Sequence, residues 1–381
     1  MKPLQGVRIL DLSRLVPGPY CTRLLCDMGA EVIKVEEPGR GDYIRSLPPF
    51  ENGVGVAFEM LNRGKKSITL NLERKQGQQV LKRLVAKADV FLESFRPGTT
   101  KKLGCDFDSI RKSNPRIIYC SLTGFGQTGP YRDLPGHDIN VLALSGFLSL
   151  NGPEPTVPSL QVGDLAGGML AALTITTALF ARQRTKRAQY IDASIIDVML
   201  SWLSIPLALQ LGGQPRLLGG DSSFYGLYRA RDSRLVALGA IESKFWEGVC
   251  KLIERPDLLP DQYSSEPRRT EVTKAIQSAL LKKTANEWFR IMSDHDLPCT
   301  PVLNLEETIK DPQAQSRHMM LKKDRKGPKK FPYVGNPCKI SGLDQAELTP
   351  SPRLGEHSTE ILHEIGYSDA AIRGLVEAGA A

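Results

Sequence analysis

The stretch Val7–Val35, VRILDLSRLVPGPYCTRLLCDMGAEVIKV, decides the fold. Val7 to Asp11 reads as a buried strand, Pro17-Gly18-Pro19 opens a helix with proline in its first turn, and Glu31 to Val35 gives a second strand. Strand, helix and strand in so short a span make a βαβ unit. The theme recurs outward: a strand over Ser67–Leu72, a helix over Glu73–Ala88, a strand over Asp89–Phe95 and another over Arg116–Thr123. Such alternation predicts an α/β protein with a largely parallel sheet covered by helices. A long helix is predicted from Asp164 toward Ala181, with the basic run Arg182–Arg187 at its C-terminal end, where cations suit the helix dipole. Beyond Phe224 the texture changes. YGLYRARDSRLVALGAI alternates like a hairpin turning at Arg231-Asp232-Ser233, helices are predicted over Ser243–Glu254 and Arg269–Asp294, and two short helices close the sequence, the second begun by Ser368-Asp369. A smaller second domain therefore starts near Phe224.

At 381 residues with 41% hydrophobic side chains, the chain is no disordered polymer and has room for two or three cores. Fifty Lys and Arg against 42 Asp and Glu leave +8, an excess that suits nucleic acid, an anionic membrane surface or a polyphosphate-bearing ligand. The basic stretch Leu321–Lys330 has no aromatic interleaving and no binding module beside it, so it reads as a solvated loop and no nucleic-acid partner is expected. Leu165 to Ala181 approaches the length of a membrane span, but Gly167, Gly168 and three threonines make it read as a buried core helix, and no membrane partner is expected. Seven cysteines without a CxxC pair point to reduced thiols and a cytoplasmic default, and the opening residues have too short an apolar run for a signal peptide.

Five polar motifs carry candidate chemistry. Gly124-Phe125-Gly126-Gln127-Thr128-Gly129 spells GxGxxG after a strand, yet Pro130, Asp133 and Pro135 follow instead of a helix, so a turn-rich loop is expected rather than a dinucleotide site. Gly136-His137-Asp138-Ile139-Asn140 puts a histidine at a loop-to-helix junction, where backbone N–H groups suit a developing negative charge. Gly163-Asp164 opens the long apolar helix, Asp164 reading either as a cap or as a functional carboxylate. Gly167 and Gly168 one turn inside permit close approach of a ligand or another backbone. Glu242 ends the apolar strand GAI, and Glu93-Ser94-Phe95-Arg96-Pro97-Gly98, with Lys101 and Lys102 behind it, ends another. In open α/β sheets, ligands bind beyond such carboxyl ends.

Together with NRGKKSITLNL, NPRIIYCSLTGFGQTGP, GDLAGG, GAIE and CTPVLNLEE in order along nearly the whole chain, these pieces resemble the family III CoA-transferase superfamily, and within it the alpha-methylacyl-CoA racemases. The resemblance implies acyl-CoA thioester chemistry and an interlocked homodimer. It also implies a large Rossmann-like domain built from both chain ends with a smaller α+β domain inserted: residues 1–200, a linker over 201–224, the small domain over 225–320, and a linker and return over 321–381. No cofactor and no metal are implied, CoA being part of the substrate. Transferases of this family use an aspartate nucleophile matching Asp164 and a glycine-rich loop. Here Leu217–Tyr225 has only two glycines, and His137 and Glu242 follow the racemase pattern. The resemblance assigns His137 and Asp164 as the two bases on opposite faces of the alpha carbon and Glu242 as the partner orienting His137. It places CoA along Leu15, Val16, Leu70, Asn71, Ser94, Phe95, Arg96, Lys102, Gly136 and Asp138. Asp164 would need a raised pKa through partial burial.

Overall fold

Six parallel strands form the main sheet of the computed structural model: β1 (Arg8–Asp11), β2 (Glu31–Glu36), β3 (Lys66–Thr69), β4 (Val90–Glu93), β5 (Ile118–Thr123) and β6 (Gln189–Ser194). The structure describes residues 2–51, 53–150, 152, 154–214, 216–321, 332–341 and 348–381; the predicted loop beyond Leu321 lies outside them. Strands covered on both faces read as continuous apolar runs, and every residue of β4 and β5 is buried. The strand order is β3-β2-β1-β4-β5-β6. Leu10 of β1 lies between Ile33 of β2 and Phe91 of β4, so the order reverses at the β1–β4 boundary. In doubly wound sheets the ligand crevice opens at the carboxyl ends of the strands flanking such a reversal.

The helices that shape this end are α1 (Pro17–Asp27), α2 (Lys75–Val85), α3 (Thr99–Lys102), α4 (Asp138–Leu144), α5 (Val162–Thr185) and α6 (Ile195–Ser201). Gly167 and Gly168 of α5 serve close approach of protein to protein. A Cβ on Gly168 would stand 2.5 Å from the carbonyl oxygen of Pro17, and one on Gly167 would stand 2.7 Å from Cγ1 of Ile195. α5 differs from the expected core helix. It starts two residues earlier, with Gln161 as N-cap and Asp164 inside the first turn. Only one face is buried, while Met169, Leu173 and Phe180, spaced i, i+4 and i+11, are 54%, 63% and 61% exposed. By length and composition α5 is apolar enough to cross a membrane.

The chain separates into two compact units, residues 1–145, 158–200 and 313–381, and residues 146–157 with 201–312. The stretch read as a linker over 201–224 thus falls in the second unit, where it forms α7 (Ser204–Leu211), whereas 313–320 fall in the first. The second unit has an antiparallel sheet of β7 (Tyr225–Arg229), β8 (Leu235–Gly239) and β9 (Cys299–Pro301) with β8 in the centre. Against it lie α8 (Ser243–Leu252), α9 (Arg268–Leu280) and α10 (Ala285–Asp294), and its core includes Tyr228, Val236, Leu238, Trp246, Ile276 and Trp288. The single helix predicted over Arg269–Asp294 is two helices, because Thr284 and Glu287 form a capping box: the Thr284 hydroxyl accepts from Glu287 N–H at 3.2 Å and the Glu287 carboxylate accepts from Thr284 N–H at 2.7 Å. In the first unit α11 (Ser358–Glu364) and α12 (Asp369–Glu377) add Ile361, Leu362, Ile372 and Leu375 to the core containing Leu10, Ile33, Ile68 and Phe91.

Candidate active site

A cavity of about 770 Å³ opens at the reversal point of the main sheet. Arg14 and Leu15 reach it from the loop after β1, Pro17 from the start of α1, Ser94 to Pro97 from the loop after β4, and Leu122 to Phe125 from the end of β5. The first turns of α4 and α5 complete it with His137, Asn140 and Asp164. GxGxxG lies in the loop between β5 and α4 and opens no helix, as its prolines predict; Gly126 and Gly129 have φ of +81° and +84°, a backbone that glycine adopts without strain.

His137 is the N-cap of α4, and its backbone N–H donates to Oδ1 of Asn140 at 3.0 Å. Its ring is exposed and borders the cavity. Between the two candidate bases stands Asp138, whose Oδ1 accepts from the backbone N–H of Asp164 at 2.9 Å, so the first turn of α4 is tied to the first turn of α5. Gly163 makes the tie possible: a Cβ there would stand 3.0 Å from that same oxygen. Burial, and then the neighbouring Asp138 carboxylate, push the Asp164 carboxyl up from the usual aspartate value to about 7. A carboxyl with that value exchanges a proton readily near neutral pH.

Of the positions expected to hold CoA, Leu15, Ser94, Phe95, Arg96 and Gly136 line this cavity. Leu70 and Asn71 line a second, smaller one of about 260 Å³, to which Phe95 also contributes. Val16 caps α1 and Lys102 sits exposed on α3; neither borders either cavity. Glu242 belongs to the second unit, exposed at the N-cap of α8 without a side-chain capping bond. Among the described residues no group of three or more His, Cys, Asp and Glu is placed to hold a metal ion.

Sequence reasoning missed the buried charges beneath the loop after β1. Lys34 Nζ bonds the carbonyl of Ser13 at 2.8 Å and pairs with Asp42 at 2.9 Å, and Lys65 pairs with Asp11 at 3.1 Å; all four side chains are sealed from solvent. Burial alone would raise the Asp11 carboxyl, but Lys34 and Lys65 hold it well below the usual range. Oδ1 of Asp42 then accepts from Leu15 N–H at 3.0 Å, fixing a residue whose φ is +65°. Glu93 was read only as a strand end, yet it is buried under the Ser94–Pro97 loop, accepting from Phe95 N–H at 2.8 Å and from the Ser121 hydroxyl, and burial pushes it up to about 7. The available signal was a lysine in the middle of the buried strand EVIKVE, which requires a partner.

Comparison with known families matches residues 4–358 to CoA-transferase family III. The chain belongs to CoA-transferase family III. This family III chain is 38% identical to the human alpha-methylacyl-CoA racemase over 386 residues, covering 98% of this chain and 96% of that one. It is 34% identical to the mouse succinyl-CoA:glutarate CoA-transferase over 394 residues, covering 100% and 90%. Among solved structures, a CAIB/BAIF family protein from Brucella suis superposes with a TM-score of 0.82 at 29% identity, covering 96% of this chain and 99% of that one. The family III relatives thus include both isomerases and transferases.

Proposed function

We propose that the protein is a racemase of 2-methylacyl-CoA thioesters that inverts the alpha carbon by moving a proton between two bases. The observation that carries this reading is that His137 and Asp164 border one cavity and that the Asp164 carboxyl is pushed up to about 7. A proton alpha to a thioester is weakly acidic, so inversion needs a base on one face, an acid on the other, and stabilisation of the enolate oxygen between them. In one direction Asp164 takes the proton as carboxylate and His137 returns one as imidazolium; in the other the roles exchange. The positive end of the α5 dipole stabilises the developing charge on the enolate oxygen. The +8 charge meets the phosphates of CoA, with Arg96 and Lys102 as partners. The exposed face of α5 supports a homodimer, and seven unpaired cysteines support a cytoplasmic location.

A second reading rests on the transferases among the relatives: Asp164 attacks the thioester carbonyl, expels CoA thiolate and forms a mixed anhydride. The two are separated by incubating one epimer of a 2-methylacyl-CoA in deuterated water, beside a transfer assay with a free carboxylate acceptor. Racemisation with alpha-deuterium uptake, lowered about a hundredfold to ten-thousandfold by His137→Ala and by Asp164→Ala, supports the racemase. Carboxylate-dependent transfer with a hydroxylamine-sensitive Asp164 supports the transferase. Retention of full racemisation by both variants overturns the two-base scheme, and silence in both assays leaves a non-catalytic CoA-binding protein.

A further inference from the structure

The two cavities of the first unit share three wall residues, Arg14, Phe95 and Thr99. The larger contains the candidate bases and the smaller contains Leu70 and Asn71. Arg14 is the only ion-forming side chain of the three. Its guanidinium lies 4.8 Å from the ring centroid of Tyr43 and 5.3 Å from that of Phe95, and it donates to the Tyr43 hydroxyl at 2.5 Å. A second guanidinium, that of Arg40, lies 4.3 Å from the same Tyr43 ring. The acid nearest Arg14 is Glu37, at a loose 3.6 Å and itself half-exposed; such a pair contributes about 0–1 kcal/mol and gives way easily. Two aromatic faces thus hold a planar cation, weakly neutralised, at the boundary between two compartments.

An acyl-CoA has matching anatomy. A nucleotide head and a pantetheine thioester arm are joined by a diphosphate, and a ligand reaching from the small cavity to the large one must carry that link past Arg14. We propose that Arg14 exchanges Glu37 for the diphosphate of the bound thioester, gripping it with its two-pronged fork and joining the two cavities into one channel. A guanidinium matches phosphate oxygens in pairs, which a lysine does not. The grip reaches the reaction cavity through the backbone, because the N–H of Arg14 donates to Oγ of Ser94 at 3.1 Å in the loop after β4. The proposal deepens the acyl-CoA reading above and rests on it.

The test compares calorimetric binding of CoA, of dephospho-CoA, which keeps the diphosphate, and of an acyl-pantetheine, which lacks it. The full-length protein, Arg14→Ala, Arg14→Lys and Glu37→Gln are measured, with circular dichroism confirming that each variant is folded. Arg14→Ala should weaken CoA and dephospho-CoA by the same factor, about tenfold to a hundredfold, and leave acyl-pantetheine unchanged. Arg14→Lys should fall between, and Glu37→Gln should bind CoA a few times more tightly. Equal weakening of acyl-pantetheine would mean that Arg14 only supports the loop, and weakening confined to CoA would assign it to the 3′-phosphate; either overturns the proposal. Unchanged CoA binding by Arg14→Ala overturns it too, while the acyl-CoA reading stands. Absence of CoA binding by the unaltered protein removes both.

Discussion

Asp164→Asn should stabilise the protein, and only above the pH at which the carboxyl of the unfolded chain ionises. The folded protein holds this group at about 7, against 3.8 for an aspartate in the unfolded chain. Between these values the folded state keeps a proton that the unfolded state has released, so stability falls as the pH rises through the window from about 4 to about 7. Three pH units correspond to about 4 kcal/mol. Residual solvent contact reduces this, and the amide forgoes about 0.3–1 kcal/mol of favourable interaction between a carboxylate and the first turn of α5. A net gain of about 2–3 kcal/mol at pH 8 follows, shrinking toward zero at pH 4.5. All three tryptophans, Trp202, Trp246 and Trp288, lie in the second unit and so report poorly on Asp164. Native-state hydrogen exchange of the β4 and β5 amides, corrected for intrinsic rates, reads the right unit. The same difference at both pH values, or a less stable variant at pH 8, would refute the reasoning.

Asp138→Asn should bring the Asp164 carboxyl down. Burial is the larger of the two causes, so Asp138 accounts for less than half of the rise and the value should stay at about 5.5 or above, read from the acidic limb of the pH–rate profile or by carbon NMR of labelled aspartate. Gly168→Ala would set a Cβ against the rigid backbone oxygen of Pro17 and should cost about 1–3 kcal/mol in urea unfolding, with weaker CoA binding because the loop after β1 is displaced. Asp42→Ala strands a buried Lys34 and should cost about 3–5 kcal/mol, whereas Lys66→Ala, whose ion pairs with Glu31 and Glu360 are exposed, should cost about 1 kcal/mol or less.

Periodicity revealed the βαβ theme because strands buried on both faces are mostly apolar, as β4 (VFLE) and β5 (IYCSLT) are. It did not reveal where one helix ends and another begins: Lys282 and Lys283 fit a helical pattern, and only the Thr284–Glu287 box interrupts it. The apolar stretch of α5 was legible as a helix but not its exposed stripe, since composition does not say what lies opposite each face. At the site, polar residues beside glycines marked the motifs, and the cavity gathers them at the strand reversal. The support beneath was harder to see. Asp11, Lys34, Asp42 and Lys65 lie far apart in sequence and meet only because three parallel strands and their loops bring them together. Glu93 was legible as a residue at a strand end but not as a buried acid holding Phe95 N–H.

The contribution of α11 and α12 to the first core has a consequence for synthesis on the ribosome. Residues 201–312 of the second unit leave the exit tunnel as one run, with β7 to β9 and α7 to α10 complete, and can fold while translation continues. The first unit must wait, because Ile361, Leu362 and Ile372 cover a sheet whose β1 was made some 350 residues earlier, and Glu364 reaches back to Arg8 at 3.1 Å. At about 5–20 residues per second the early strands spend tens of seconds with part of their apolar surface uncovered. Nascent chains halted before residue 358 should therefore be protease-resistant over 201–312 and cleavable over 1–145, and the need for a chaperone should end when α12 clears the tunnel.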